Sequence, residues 1–230
     1  MVNKLKRTLK ALLGIIPWQE NTALHRKNIT KYLQQHDIRK IQFGCGPNFL
    51  QGWLNTDIYK GSDEVVYLDI TREFAIPSNS FHYMTSEHLI EHISFNQGKS
   101  FLKECLRVLK TRGVIRIVTP NLQTILNLYA NKTADNDMYI HHIISNFIPN
   151  APYNPEVFVI NNAFRNWGHQ FLYDKPTLIN LLNDVGFKDI HEVKPGVSSH
   201  EHLNNIDARH QSAISNINEF EVMVFEASKP

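Results

Sequence analysis

Short apolar runs recur between residues 39 and 118 at about the spacing of βα units. Arg39–Phe43 predicts a strand ending at Gly44, while Trp53–Asp57 and Val65–Asp69 predict two more, each ending in a carboxylate. Phe81–Thr85 predicts a fourth, introduced by the turn cluster Pro77-Ser78-Asn79-Ser80. Phe101, Leu102, Cys105, Leu106 and Leu109 share one helical face, with Arg112-Gly113 as the expected C-cap. Val114–Val118 then reads as a buried fifth strand. Further along, Lys175–Val185 predicts a helix, with Asp174 as N-cap, Pro176 in the first turn and Gly186 at the end. Phe187–Val193 and Glu221–Ala227 alternate as the last two strands, and Leu24–His36 reads as an early helix. Residues 131–168, rich in Asn, His and aromatics, are expected to be an irregular insertion over the active face.

Alternating strands and helices predict a largely parallel sheet, with ligands at the carboxyl ends of its strands. The length of 230 residues suits one α/β domain. We divide the chain into a helical leader over 1–37 and a domain over 38–230. With 42% hydrophobic and 20% charged residues, the composition is that of a folded globular protein. A net charge of +2 is too small to point to a nucleic-acid partner. The two cysteines, Cys45 and Cys105, sit in unrelated contexts and read as reduced thiols, so a cytoplasmic location is expected. No apolar run has the length of a membrane span. In the leader, Leu5, Leu9, Leu12, Leu13 and Ile16 form a stripe beside Lys4, Lys6, Arg7 and Lys10. Such a helix packs on its own domain or lies on an anionic membrane surface, a peripheral contact.

The candidate chemistry sits at the strand ends. Gly44-Cys45-Gly46-Pro47 follows the first strand, and two glycines let backbone N–H groups approach a ligand. Asp57 can accept both hydroxyl protons of a ribose, and Asp69 an adenine amino group, with Ile58 and Ile70 sandwiching the ring. A dinucleotide fingerprint needs a small residue where Phe49 stands, which counts against a nicotinamide oxidoreductase. No Gly-Lys-Ser/Thr follows to make a P-loop. A nucleoside carrying an amino-acid tail in place of phosphates fits better: S-adenosylmethionine.

Ile41-Gln-Phe-Gly-Cys-Gly-Pro followed by Gly52-Trp-Leu-Asn-Thr-Asp57 resembles a bacterial subgroup of class I methyltransferases with a short first crossover. Ser86-Glu87-His88-Leu89-Ile90-Glu91-His92-Ile93 resembles the segment after that family's fourth strand. Glu104–Gly113 with Ile115–Asn121, and His169 through Gly186-Phe187, are similar to its later elements. The resemblance implies a three-layer, Rossmann-like α/β fold, its mostly parallel seven-stranded sheet ending in an antiparallel strand. It also implies that Phe43, Gly44, Cys45, Gly46, Asp57, Ile58, Asp69, Ile70 and Ser86 hold the donor. Gln42 departs from the family, which has an acid there, so an indirect grip on the donor's amino group is weakened. The crossover leaves room for about one helical turn, opening at Pro47.

His88-Leu89-Ile90-Glu91-His92 also spells H-x-x-E-H, a zinc-protease arrangement. The methyltransferase reading explains the segment, so no metal is assigned, and Glu91 and His92 are expected on a helix surface. For a general base the candidates are His88, then His169, with Glu87 beside them. The acceptor is expected to be a small molecule or saccharide methylated on oxygen, in a pocket built by Phe147, Tyr153, Phe158, Phe164 and Trp167. The alternative from another class is a non-catalytic protein that keeps the fold as a partner subunit.

Overall fold

Seven strands pair in the order β3-β2-β1-β4-β5-β7-β6 in the computed structural model, which describes residues 22–59, 62–207 and 215–230. The leader stripe and His210 lie outside the described residues. Strands β1 (Lys40–Phe43), β2 (Leu54–Asp57), β3 (Val66–Tyr67), β4 (Phe81–Glu87) and β5 (Leu109–Pro120) run parallel. The last strand, β7 (Val222–Ser228), is antiparallel to both β5 and β6 (Lys188–Val193). This is the Rossmann-like, mostly parallel sheet that the sequence predicts. Strand order reverses between β1 and β4, the point at which open α/β sheets leave a crevice for ligands.

Helices α1 (Thr22–Gln35), α2 (Phe95–Val108) and α6 (Lys175–Val185) accompany the sheet. The apolar face of α2, Phe101, Leu102, Cys105 and Val108, is fully buried, and Phe101 meets Phe43 of β1 edge to face. Ser94 and Gln97 close a capping box at the start of α2. In α6 the Asp174 side chain accepts the Thr177 N–H at 2.9 Å, and Gly186 ends the helix at φ 113°. Asp174→Ala should therefore cost about 1 kcal/mol of stability. Urea unfolding checks this, and an unchanged midpoint would contradict it.

Three expectations are corrected. Arg112-Gly113 does not cap a helix: α2 ends at Val108, and Arg112 (φ 64°) lies in the long strand β5. The register between β4 and β5 shifts there, from Phe81 opposite Leu109 to Tyr83 opposite Val114. Strand pairing thus decides this segment over its local turn signal. The first crossover contains no helix, only turns such as Asn48 N–H to Cys45 O at 2.9 Å. Buried side chains hold it instead. Gln42 Nε2 donates to Asn48 O at 3.0 Å, and Asn55 Oδ1 accepts Leu50 N–H at 3.0 Å. Gln42 is thereby spent on the loop.

The third correction concerns residues 131–168, which are mainly helical: α4 (Ala134–Phe147) and α5 (Pro155–Arg165). Local propensity is poor there, but Thr133 caps α4, Pro155 opens α5, and tertiary burial does the rest. Tyr139, Ile140, Ile143, Val159 and Ala163 pack on Ile125 and Leu128 of α3 (Leu122–Ala130) as a second core. Because α3 follows β5 directly, this helical group stands over the carboxyl ends of β4 and β5. A short helix, α7 (Ser215–Glu221), joins it. Among the described residues, no helix is long and apolar enough to cross a membrane.

Candidate active site

The glycine loop leaves β1 with Gly44 at φ 63° and Gly46 at φ 52°, a conformation that disfavours side chains. A Cβ on Gly44 would meet Leu89 at 2.7 Å, whereas Gly46 faces open space. Gly46 N–H donates to Asp57 Oδ2 at 2.9 Å, and Tyr59 N–H donates to Oδ1 at 2.8 Å. Each carboxylate oxygen still has a lone pair, enough to accept two ribose hydroxyls. Ile58 is exposed beside it. The loop, Asp57 and Asp69 follow adjacent strands at one end of the sheet. An open backbone turn beside a carboxylate with spare acceptor capacity fits a nucleoside bearing an amino-acid tail.

Other expected donor contacts are narrower than the sequence suggests. Asp69 Oδ1 already accepts from Thr71 N–H at 3.0 Å and Thr71 Oγ1 at 2.6 Å. Its Oδ2 lies 3.1 Å from Arg72 Nε, so only residual capacity is left for an adenine amino group. Ile70 packs partly on the core, and the Phe43 side chain is wholly core, leaving its backbone to line the site. The Cys45 thiol is pushed up to about 12, by burial first and then by the Asp57 charge, so it stays protonated. Ser86 is fully buried and its hydroxyl has no hydrogen-bond partner.

Beyond β4 the chain turns sharply. His88 sits at φ 48°, its N–H donating to Val118 O at 2.9 Å, before a 3₁₀ turn over Ile90–His92. His88 and His92 therefore do not share the face of one α-helix. His88 Nδ1 is 3.2 Å from Glu91 Oε1, and its Nε2 is 3.9 Å from Glu221 Oε1. The other Glu91 oxygen accepts the Thr119 hydroxyl at 3.0 Å. Contrary to expectation, Glu91 is not a surface residue: it is 0% exposed. Burial pushes its carboxyl up, but the hydrogen bond and charge of His88 outweigh this and leave it below the usual range. His92, half-buried, is lowered by burial and by the charges of His169 and His88, against the pull of Glu91.

A cavity of about 470 Å³ opens here beneath α4 and α5. His88, His92, His169 and Glu221 line it with Tyr139 and Trp167. Of the aromatics expected there, Phe147 and Trp167 contribute, while Tyr153, Phe158 and Phe164 do not line it. Glu87 borders a smaller cleft on the other side of His88, with Asp207. Sequence reasoning missed Tyr139, His142 and Glu221. The Tyr139 hydroxyl donates to Glu221 Oε2 at 2.5 Å across 82 positions, a link with no local signal.

Residues 41–117 match a family model described as methyltransferase domain. Over that stretch the chain is similar to a methyltransferase domain. The methyl donor of such domains is S-adenosylmethionine, and the Gly44–Gly46 loop with Asp57 has the chemistry that would fit it. No protein of curated function matches the chain. Among solved structures, it is similar to an S-adenosylmethionine-dependent methyltransferase from Archaeoglobus fulgidus, at 17% identity and TM-score 0.48. That alignment covers 90% of this chain and 94% of the other chain. A Thermotoga maritima protein described as a possible histamine N-methyltransferase aligns at 12% identity and TM-score 0.47. The alignment covers 94% of this chain and 96% of that protein.

Proposed function

We propose that this protein transfers a methyl group to a hydroxyl of a small polar acceptor, a sugar or similar metabolite, held in the cavity beneath α4 and α5. The observation that carries this reading is His88: one ring nitrogen is set against a buried carboxylate, and the other, 3.9 Å from Glu221 Oε1, makes no hydrogen bond in a residue that lines the cavity. A base with a fixed orienting group is what a hydroxyl nucleophile needs and an amine does not. The volume is within the range that encloses a small ligand, and its lining mixes imidazoles and a carboxylate with aromatic faces.

S-adenosylmethionine, when bound, would supply an electrophilic methyl group to the acceptor oxygen, with the thioether of S-adenosylhomocysteine as the leaving group. The residues of the chain do the remainder. Glu91, held by Thr119 and enclosed by the core, fixes the His88 tautomer with the proton on Nδ1. Nε2 then takes the acceptor's hydroxyl proton, and Glu91 faces the imidazolium that results. Tyr139 holds the Glu221 carboxylate on the same wall, where it can accept from a further acceptor hydroxyl. Trp167 and Phe147, which meet edge to face at 5.3 Å, close the far side and exclude water.

His88→Gln should lower kcat for hydroxyl acceptors by about 10²-fold or more, with affinity for S-adenosylhomocysteine within about twofold of wild type. Mass spectrometry of products from a panel of sugar alcohols, amines and thiols, with calorimetry for the donor product, gives both readings. Methylation confined to nitrogen or sulfur, or an undiminished rate in His88→Gln, would count against the proposal.

A further inference from the structure

Outside the donor cradle, the described residues hold one cluster suited to a cation. A Glu91 carboxylate oxygen and one nitrogen each of His92 and His169 all lie within 4.8 Å of one another. We propose that these three residues bind a divalent first-row cation such as zinc at the cavity wall, leaving coordination positions open to the acceptor. Two imidazoles and one carboxylate with open positions are the donor set of a catalytic rather than a structural zinc site. In tetrahedral coordination with bonds of about 2.1 Å, ligand atoms stand about 3.4 Å apart. From the 4.8 Å limit the cluster has to close by at most about 1.4 Å.

Three independent features support the assignment. Glu91 Oε1 is wholly buried and faces only the His88 ring, 3.2 Å away, so a charged oxygen keeps acceptor capacity that is costly to leave unused in the interior. The two ligand-bearing segments, 78 positions apart, are stitched together by backbone. Gln170 N–H donates to Glu91 O at 2.7 Å, and Gln170 Nε2 donates to His92 O at 2.7 Å. That zipper sets the His92 and His169 rings 4.9 Å apart, edge to face. Finally, His169 Nδ1 lies 2.6 Å from Ala163 O. Donation there leaves Nε2 as a bare lone pair, the backbone-oriented tautomer typical of metal-binding histidines.

The binding claim rests on this cluster alone. Its role rests on the hydroxyl-transfer reading: a cation at the wall would polarise the acceptor oxygen, and the proton released would pass to His88 Nε2.

The experiment uses untagged full-length protein, stripped with a chelator and dialysed. Zinc is titrated by calorimetry, and Co²⁺ is added to read visible d–d bands. We expect one ion per chain, with affinity falling by about a hundredfold or more in His92→Asn and in His169→Asn, beyond the loss of an outer-shell partner. His141→Ala, exposed on α4, should leave uptake unchanged. Circular dichroism on every variant shows that each is folded, and S-adenosylhomocysteine affinity is measured alongside. Stoichiometric zinc with no donor uptake would uphold the cation site and defeat the donor assignment. Donor uptake without zinc, or zinc uptake indifferent to His92 and His169, would overturn the cation site.

Discussion

Asp57→Ala should lower affinity for S-adenosylmethionine and S-adenosylhomocysteine by about 10²-fold or more. A carboxylate accepting two hydroxyl protons loses two charge-assisted hydrogen bonds on truncation, at about 1.5–3 kcal/mol each. Since about 1.4 kcal/mol corresponds to a factor of ten, even the lower end gives a hundredfold. The substitution also removes the acceptor for Gly46 N–H at 2.9 Å and Tyr59 N–H at 2.8 Å, so the glycine loop loses its anchor. Asp57→Asn separates the two effects. It retains one acceptor oxygen for the loop yet forfeits the negative charge, and should fall between wild type and Asp57→Ala. Calorimetric titration with S-adenosylhomocysteine measures all three. Equal affinity in Asp57→Ala and wild type would remove Asp57 from the donor site.

Asp207→Ala should destabilise the fold by about 3–5 kcal/mol, the cost of removing two charge-assisted hydrogen bonds, at about 1.5–3 kcal/mol each, from a buried network. Arg116 lies in the buried part of β5 at 0% exposure and uses all five N–H donors. Asp207 accepts two of them, from Nε at 2.8 Å and Nη2 at 2.6 Å, and Glu226 accepts from Nη1 at 2.6 Å. The carbonyls of Val197 and Lys194 take the remaining two. Asp207 Oδ2 also accepts Gly196 N–H at 2.7 Å, so the segment over 194–207 is tied to the sheet through Arg116, alongside the Ser198 hydroxyl that donates to Glu226 at 3.1 Å. Replacing Asp207 leaves Glu226 as the remaining acidic partner but strands two buried guanidinium donors and the Gly196 N–H. Urea unfolding reads the loss, and an unfolding free energy within about 1 kcal/mol of wild type would show that the network carries little. By contrast, Lys175 and Glu192, both about half exposed at 2.8 Å, should contribute little because solvent screens such pairs.

The geometry of the glycine loop and Asp57 was legible in the sequence because its parts are close along the chain. Gly44, Gly46 and Asp57 lie within one crossover, and a glycine pair after an apolar strand reports its backbone demand locally. The capped helix over Lys175–Val185 was readable for the same reason, with Asp174 and Gly186 marking its ends. Gln42 was visible as a departure, but only the fold shows its amide pinning Asn48 and Leu50 across the helix-free crossover.

Strand period, helix caps and strand-end acids follow from neighbours a few residues away, so the sequence by itself determined the Rossmann-like sheet and the place of the glycine loop. The cavity beneath α4 and α5 obeys different physics. Helices α4 and α5 form because Tyr139, Ile143 and Val159 are buried on α3, and no local propensity announces that. Glu91 is an interior residue because His88, Thr119 and the segment after His169 close over it, from positions as distant in the chain as Phe171. Burial and pairing across such distances are set by packing alone, which is why the tertiary structure decided which histidines share a cavity and which acid lies among them.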